Sequence, residues 1–309
     1  RLLLRERTQK YHQYLQELNE NTFGKYDDVV TVGEMSSTTL ENSIRYSNPE
    51  SNELSMIFSF HHLKVDYPSG NKWEIEPFRF HDLKKHLFTW QEEMEKGGGW
   101  NALFWCNHDQ PRIVSRIGNE KEYRVKSAKC LATAIHGLKG TPYIYQGEEI
   151  GMTNAGYTSI DEYMDIESLN YYNILKLQGK SEEEVIRILG AKSRDNSRTP
   201  MQWDASENAG FTKGTPWLKV CDRYKEINTE SRHEPDSVFQ YYKELVKLRK
   251  ELPVIQKGAV TPLLREDKEI LAYKREYQGK ELSLCSVITC IGEVKVTVFH
   301  SGRLQEHSF

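Results

Sequence analysis

Four successive strand-to-helix units followed by a stretch of alternating polar and apolar residues place this chain in the α/β class, as the second half of a (β/α)8 barrel with a small, partial antiparallel β domain behind it. Three observations carry that expectation. Short apolar runs ending in polar, charged tips alternate with helical patterns, as a parallel barrel requires. The count of units is four, whereas a complete eight-unit barrel takes about 250 residues. After Gly258 the hydrophobic period changes to two, which marks antiparallel strands. The division expected is residues 1–257 for the barrel half with its last helices and 258–309 for the β domain.

Taken in order, Tyr11, Tyr14, Leu15 and Leu18 recur at helical spacing and predict an amphipathic helix over Tyr11 to Asn21. Val29, Val30 and Val32 form a β-branched run that ends in Gly33-Glu34, a strand with a carboxylate at its tip. MIFSFHHLK, Met56 to Lys64, is the next strand, and His81 to Glu95 reads as a helix stopped by Gly97 to Gly99. In NALFWCNHDQPR, Asn101 to Arg112, an apolar run breaks into Asn107, His108, Asp109 and Gln110, so a buried strand delivers an acid and an imidazole at its wet end. Lys121 to Lys139 is a helix ended by Gly140, and Thr141 to Gly151 is another apolar strand with a polar, glycine-containing exit. Two helices fall between Ser159 and Gly190, the loop SRDNSRTPMQWD follows, and Asp236 to Leu252 is a strong amphipathic helix with Pro253 as its stop. ILAYKREY, ELSLCSVITC and EVKVTVF then alternate as strands.

Composition narrows the function classes. Over 309 residues, 42 Lys+Arg stand against 45 Asp+Glu, with no basic stripe interleaved with aromatics, so nucleic acid is not an expected partner. No apolar run approaches the roughly 18–20 residues of a membrane span, and RLLLRERTQK turns charged too early for a signal peptide. The 5 cysteines include no CxxC pair, and Cys106 and Cys130 lie in apolar runs, so reduced buried thiols and a cytoplasmic location are expected. No cofactor or metal is expected, and oligomeric state is not encoded in any pattern. The 17 Tyr and 6 Trp suit either a large core or sugar rings stacked on aromatic faces.

Glu34 and Asp109 sit two strands apart, so in a barrel both would face one mouth. Two carboxyl groups facing one cavity can divide the work of glycoside hydrolysis between proton donor and charge stabiliser. The competing reading is structural: acids at strand ends cap helices or pair with arginine, and Arg112 could be such a partner. His108 could donate to sugar hydroxyls or simply pack against backbone.

VTVGEM, NALFWCNHDQPRIVSR, KGTPYIYQGEEIGMTN and RDNSRTPMQWD resemble four successive blocks of the α-amylase superfamily of retaining α-glucosidases, over roughly Tyr11 to Leu252. MIFSFHHLKVDYPSG and GGGWNALFW are most similar to its trehalose-6-phosphate hydrolase branch, with the oligo-1,6-glucosidase branch as the neighbour. The resemblance implies that Glu34 is the general acid/base, Asp109 the transition-state-stabilising aspartate and His108 the hydroxyl-binding histidine. It implies that Arg194 helps fix the nonreducing glucose, with Arg198 the adjacent candidate. The implied substrate is a small sugar phosphate, trehalose 6-phosphate, and the alternative is an isomaltose-like sugar.

A phosphorylated disaccharide needs a compact cationic pocket, and FHHLKVDYPSGNKW supplies His61, His62, Lys64 and Lys72; His61, Lys64 and Lys72 are the candidates for the phosphate. The alternative for this loop is a solvated surface neutralised by Asp66 and Glu74. The family's nucleophile lies in a GFRxD-like block on the strand before the Tyr11 helix, and this sequence contains no such block ahead of Tyr11. The chain alone is therefore expected to lack a complete active site and to behave as a fragment, or as a non-catalytic remnant. The stretch CSVITCIGEVKVTVFHSGRLQEHSF departs from the pattern expected for the family's terminal β domain.

Overall fold

A computed structural model describes residues 2–287, 296–300 and 303–307, with side chains described over 9–282. Four parallel strands, β1 (Val32–Met35), β2 (Met56–Ser59), β3 (Asn101–Leu103) and β4 (Thr141–Pro142), lie side by side in that order. Helix α1 (Leu2–Asn21) precedes β1, α2 (Leu40–Ser47) follows it, and α3 (Phe80–Lys96) follows β2. After β3 come α4 (Ile113–Ile117) and α5 (Arg124–His136); after β4 come α6 (Ile166–Leu177), α7 (Glu182–Lys192), the single turn α8 (Asp195–Arg198), α9 (Val238–Glu251) and α10 (Pro253–Lys257). The chain ends in an antiparallel sheet of β5 (Ala259–Leu263), β6 (Ile270–Tyr277) and β7 (Lys280–Val287), and a hairpin of β8 (Val296–His300) and β9 (Arg303–His307). This is the half-barrel with a small antiparallel sheet that the sequence predicts.

The register explains which side of the parallel sheet can carry chemistry. Ile57 pairs with Gly33 and Asn101, is fully buried, and packs with Tyr46 of α2 and Met94 of α3. Glu34, Phe58 and Ala102 pair one position later, so their side chains point to the opposite face, away from those helices. On that face Phe58 meets Phe104 and Tyr143 edge-on, with ring centroids 4.9 and 4.7 Å apart. Because the strands are parallel, all four C-terminal ends share one edge of the sheet.

The second sheet is tied to α3 and to the end of α5 by buried polar side chains as well as by apolar contact. Lys84 of α3, 1% exposed, donates to the carbonyls of Leu264, Asp267 and Ile270 around the β5–β6 turn. Buried Arg275 of β6 reaches the carbonyls of Gly258 and Gly137, and the Tyr273 hydroxyl donates to the Ala134 carbonyl at 3.0 Å.

Several expectations are corrected. Tyr11 and Tyr14 are each 61% exposed and Leu18 is 47% exposed, while Leu15 packs partly buried against Tyr46, Ile57 and Met94; among the described side chains of α1 the buried one is His12, its Nδ1 2.7 Å from Glu53 Oε2 and its ring stacked on Tyr46. Helical spacing identifies a stripe but not which stripe is buried, and here a polar anchor decides. Val29 and Val30 are exposed and precede β1. Of Thr141 to Gly151 only Thr141 and Pro142 are strand, and the polar exit is a 3-10 turn at Glu148–Ile150 bracketed by Gly147 and Gly151 at φ +83° and +67°. Cys106 and Cys221 are buried free thiols and Cys130 is buried. The side chain of Cys285, residue Cys290, and the ends of ELSLCSVITC and EVKVTVF outside β7 and β8 lie outside the described residues.

Candidate active site

Glu34 is the third residue of β1, and its side chain is exposed on the inner face of the sheet. Among the described residues it makes no hydrogen bond or ion pair, so no described protein group competes with a ligand for its carboxyl. Asp109 lies in the loop beyond β3, where its N–H donates to Asn107 Oδ1 at 2.8 Å in a tight Asx turn that turns the backbone sharply. Parallel β1 and β3 flank β2, so both acids belong to the C-terminal edge of one sheet.

Two arginines hold Asp109. Arg198 donates from Nη2 to Asp109 Oδ1 at 2.6 Å and from Nε to the His108 carbonyl at 2.9 Å. Arg194 reaches the same carboxylate oxygen from Nη1 at 3.4 Å. Burial alone would push this carboxyl upward, but the Arg198 hydrogen bond, together with the charges of His108, Arg194 and Arg198, holds it below the usual carboxylate range. Asp109 is thus kept ionised. His108 is largely exposed, with Nε2 3.7 Å from Asp109 Oδ2.

A second layer of acids holds the arginines. Asp165, 4% exposed at its side chain, caps α6 through the Ser168 N–H at 3.1 Å and places Oδ1 3.7 Å from both Arg194 Nε and Arg198 Nη1. Glu167 Oε2 accepts from Arg194 Nε at 2.9 Å and from Lys72 Nζ at 2.7 Å. Lys72 is therefore joined to Asp109 through Glu167 and Arg194. Burial pushes the Glu167 carboxyl up, and its bonds to Lys72 and Arg194 more than reverse that, leaving it below its ordinary range.

The other members of the cationic loop are placed differently. Lys64 donates to the Ser36 carbonyl at 2.6 Å and to Ser37 Oγ at 3.0 Å, just beyond β1, and both partners are neutral. His61 Nε2 lies 2.9 Å from the Thr38 carbonyl and its ring lies 4.6 Å from that of Trp90. His62 is bonded to the Phe104 carbonyl at 2.8 Å, and burial lowers it to about 4, so it stays neutral and is withdrawn from any cationic role. Asp66 does not neutralise Lys64 or Lys72: it pairs with Arg116 at 2.6 Å and Lys192 at 2.9 Å. Glu74 accepts from Asn71. Arg112 does not pair with an acid either; it is buried and donates to the Gln146 carbonyl at 2.6 Å and the Asn196 carbonyl at 3.3 Å.

The structure therefore brings Asp109, His108, Arg194, Arg198 and Lys72 into one connected group and sets Lys64 and His61 against the segment leaving β1. Sequence alone does not single out Asp165 and Glu167. They lie in no motif block, and the only local signal was an Asp-x-x-Ser helix start, which marks a cap and not a binding group.

Among the described residues no group of three or more His, Cys, Asp or Glu is placed to hold a metal ion, and no helix is long and apolar enough to cross a membrane. The family described as alpha amylase, catalytic domain, matches residues 5–258. The chain is 55% identical over 274 residues to the trehalose-6-phosphate hydrolase of Bacillus subtilis, covering 88% of this chain and 49% of that protein. It is 50% identical over 272 residues to an oligo-1,6-glucosidase of Halalkalibacterium halodurans, covering 88% and 48%. The crystal structure of Bacillus licheniformis trehalose-6-phosphate hydrolase superposes with a TM-score of 0.87 at 60% identity, over 90% of this chain and 50% of that one. The chain thus spans about half the length of the curated relatives it matches.

Proposed function

The chain belongs to the α-amylase catalytic family, and on that premise we propose that it carries the acid/base and the charge-stabilising half of a retaining α-glucosidase that hydrolyses trehalose 6-phosphate to glucose and glucose 6-phosphate. The observation that carries this reading is Asp109, held ionised by Arg198 and Arg194 at the sheet edge to which β1 contributes Glu34. Glu34 protonates the glycosidic oxygen as the bond breaks and later removes a proton from the attacking water. Asp109 stabilises the oxocarbenium-like centre by its charge, and His108 and Arg198 or Arg194 donate to the hydroxyls of the nonreducing glucose. Retention requires a nucleophilic carboxylate about 5 to 5.5 Å from the acid. In the family this residue precedes the Tyr11 helix, so activity depends on that block together with the residues described here.

Lys64 is the best-supported phosphate anchor, because among the described residues its ammonium has only neutral oxygen partners, which leave its charge uncompensated. His61 and Lys72 complete the candidate set. A phosphorylated substrate also fits a cytoplasmic protein with reduced thiols. In an enzyme carrying this half, Lys64→Ala and Lys72→Ala should lose trehalose 6-phosphate hydrolysis far more than nitrophenyl-glucoside hydrolysis; equal losses would sink the phosphate pocket. The 50% identity to an oligo-1,6-glucosidase favours a second reading, hydrolysis of isomaltose-like sugars. Parallel assays on isomaltose and trehalose 6-phosphate separate the two.

A further inference from the structure

We infer that Tyr145 is a positioning residue for the charge stabiliser: its hydroxyl, by holding the Ser197 carbonyl, fixes the turn from which Arg198 reaches Asp109. The inference rests on the glycosidase reading for what Asp109 does, and it adds a residue that acts on Asp109 through Arg198.

Arg198 is the last residue of α8, a four-residue turn with no side-chain cap bond at its start. So short a helix is not stable by itself, and the last carbonyls of any helix find no partner inside it. In α8 three successive carbonyls are taken up from outside. Asp195 accepts from the Tyr157 hydroxyl at 3.4 Å, Asn196 from Arg112 Nε at 3.3 Å and Ser197 from the Tyr145 hydroxyl at 2.9 Å. The Tyr145 bond is the shortest of the three and falls on the peptide that joins Ser197 to Arg198, so it orients the backbone from which the Arg198 side chain leaves. The Ser197 hydroxyl donates to the carbonyl of Gln110, next to Asp109, and ties the same turn to the loop beyond β3. Tyr145 is a fixed donor: its ring packs against the main core cluster, and its centroid lies 5.4 Å from Arg112 Cζ. Arg112 in turn donates to the Gln146 carbonyl at 2.6 Å, which locks the segments leaving β3 and β4 together where they meet α8. Arg198, by contrast, is 26% exposed at its side chain, and its 2.6 Å bond to Asp109 competes with water. A long side chain of that kind keeps one geometry only when its backbone is held. Burial alone would raise the Asp109 carboxyl and the Arg198 bond lowers it, so Asp109 reports whether Arg198 is in place.

A ¹³C NMR titration of the Asp109 carboxyl in the full chain tests this in Tyr145→Phe, which removes one hydroxyl, and in Ser197→Ala, which removes the tether to Gln110. Tyr273→Phe is the control, because it deletes a comparable hydroxyl bond in β6, 3.0 Å to the Ala134 carbonyl. Both site variants should move the Asp109 titration up, by less than Arg198→Ala does, and Tyr273→Phe should leave it in place. In an Arg198→Ala background Tyr145→Phe should add nothing, since its effect passes through Arg198. An Asp109 titration unmoved by Tyr145→Phe, an equal move with Tyr273→Phe, or a move of full size that persists without Arg198 overturns the inference. If Tyr145→Phe leaves Asp109 unmoved while Asp109→Asn abolishes turnover in an enzyme carrying this half, the positioning fails and the glycosidase reading stands. If Asp109 moves as expected but Asp109→Asn keeps its turnover, the positioning stands and that reading fails.

Discussion

Glu148→Gln should stabilise the protein at pH 8 and not at pH 5. Glu148 is 5% exposed, its Oε1 accepting from the Tyr242 hydroxyl at 2.8 Å and its Oε2 from the Tyr145 N–H at 3.4 Å. Burial raises its carboxyl from 4.5 to about 7, and the two hydrogen bonds pull it back only in part. A carboxyl raised in the folded state binds a proton more tightly there than in the unfolded chain. Its effect is absent below the unfolded value, and stability is lost as pH rises from about 4.5 through about 7. At ~1.4 kcal/mol per tenfold, the burden above pH 7 is on the order of 3 kcal/mol. Glutamine keeps one acceptor, for Tyr242, and gives up the long bond to Tyr145, which costs about 1 kcal/mol. The net gain at pH 8 is therefore about 2 kcal/mol, falling to a small loss at pH 5. Urea unfolding of both proteins at several pH values between 5 and 8 measures it. A stability difference that does not change with pH across that range would refute the reasoning.

Two further expectations follow from the site and the sheet. Arg198→Ala removes the 2.6 Å contact to Asp109 and leaves Arg194 at 3.4 Å, so the Asp109 carboxyl should move up toward the ordinary range in a ¹³C NMR titration; an unmoved titration would show that Arg198 does not hold the charge. Gly140→Ala should lower stability by at least about 2 kcal/mol, because Gly140 sits at φ +140° and an added Cβ would fall 2.5 Å from the Asn101 carbonyl oxygen. Thermal unfolding checks this, and a shift within error would mean that β3 and β4 can separate at that point without cost.

What the sequence made legible was whatever is local. The apolar runs with charged exits located β1 to β3, and the order of units anticipated a four-stranded parallel sheet. Asp109 and His108 were readable because a strand, a polar break and Pro111 lie in one stretch. Of the α1 stripe only Leu15 packs against the core while Tyr11, Tyr14 and Leu18 are exposed, because His12 finds Glu53, which lies far along the chain, and this buried imidazole-carboxylate bond sets the helix face. Asp66 looked like a neighbour for the lysines around it, but its partners, Arg116 and Lys192, come from α4 and α7. Glu167 is the clearest case of what could not be read. At the start of an amphipathic helix it looks like any acid favoured by the helix dipole, and only the fold brings Lys72 and Arg194 to it.

The central claim is that Glu34 and Asp109 are the acid/base and the stabiliser of a retaining α-glucosidase. It is tested most directly in a chimera in which residues 11–252 replace the matching half of the Bacillus subtilis trehalose-6-phosphate hydrolase. Proton NMR of trehalose 6-phosphate hydrolysis by this folded chimera should show α-glucose as the first product, and Glu34→Gln or Asp109→Asn should each abolish turnover. A folded chimera that binds substrate without turnover, that releases β-glucose first, or that keeps its rate after Glu34→Gln would contradict the account.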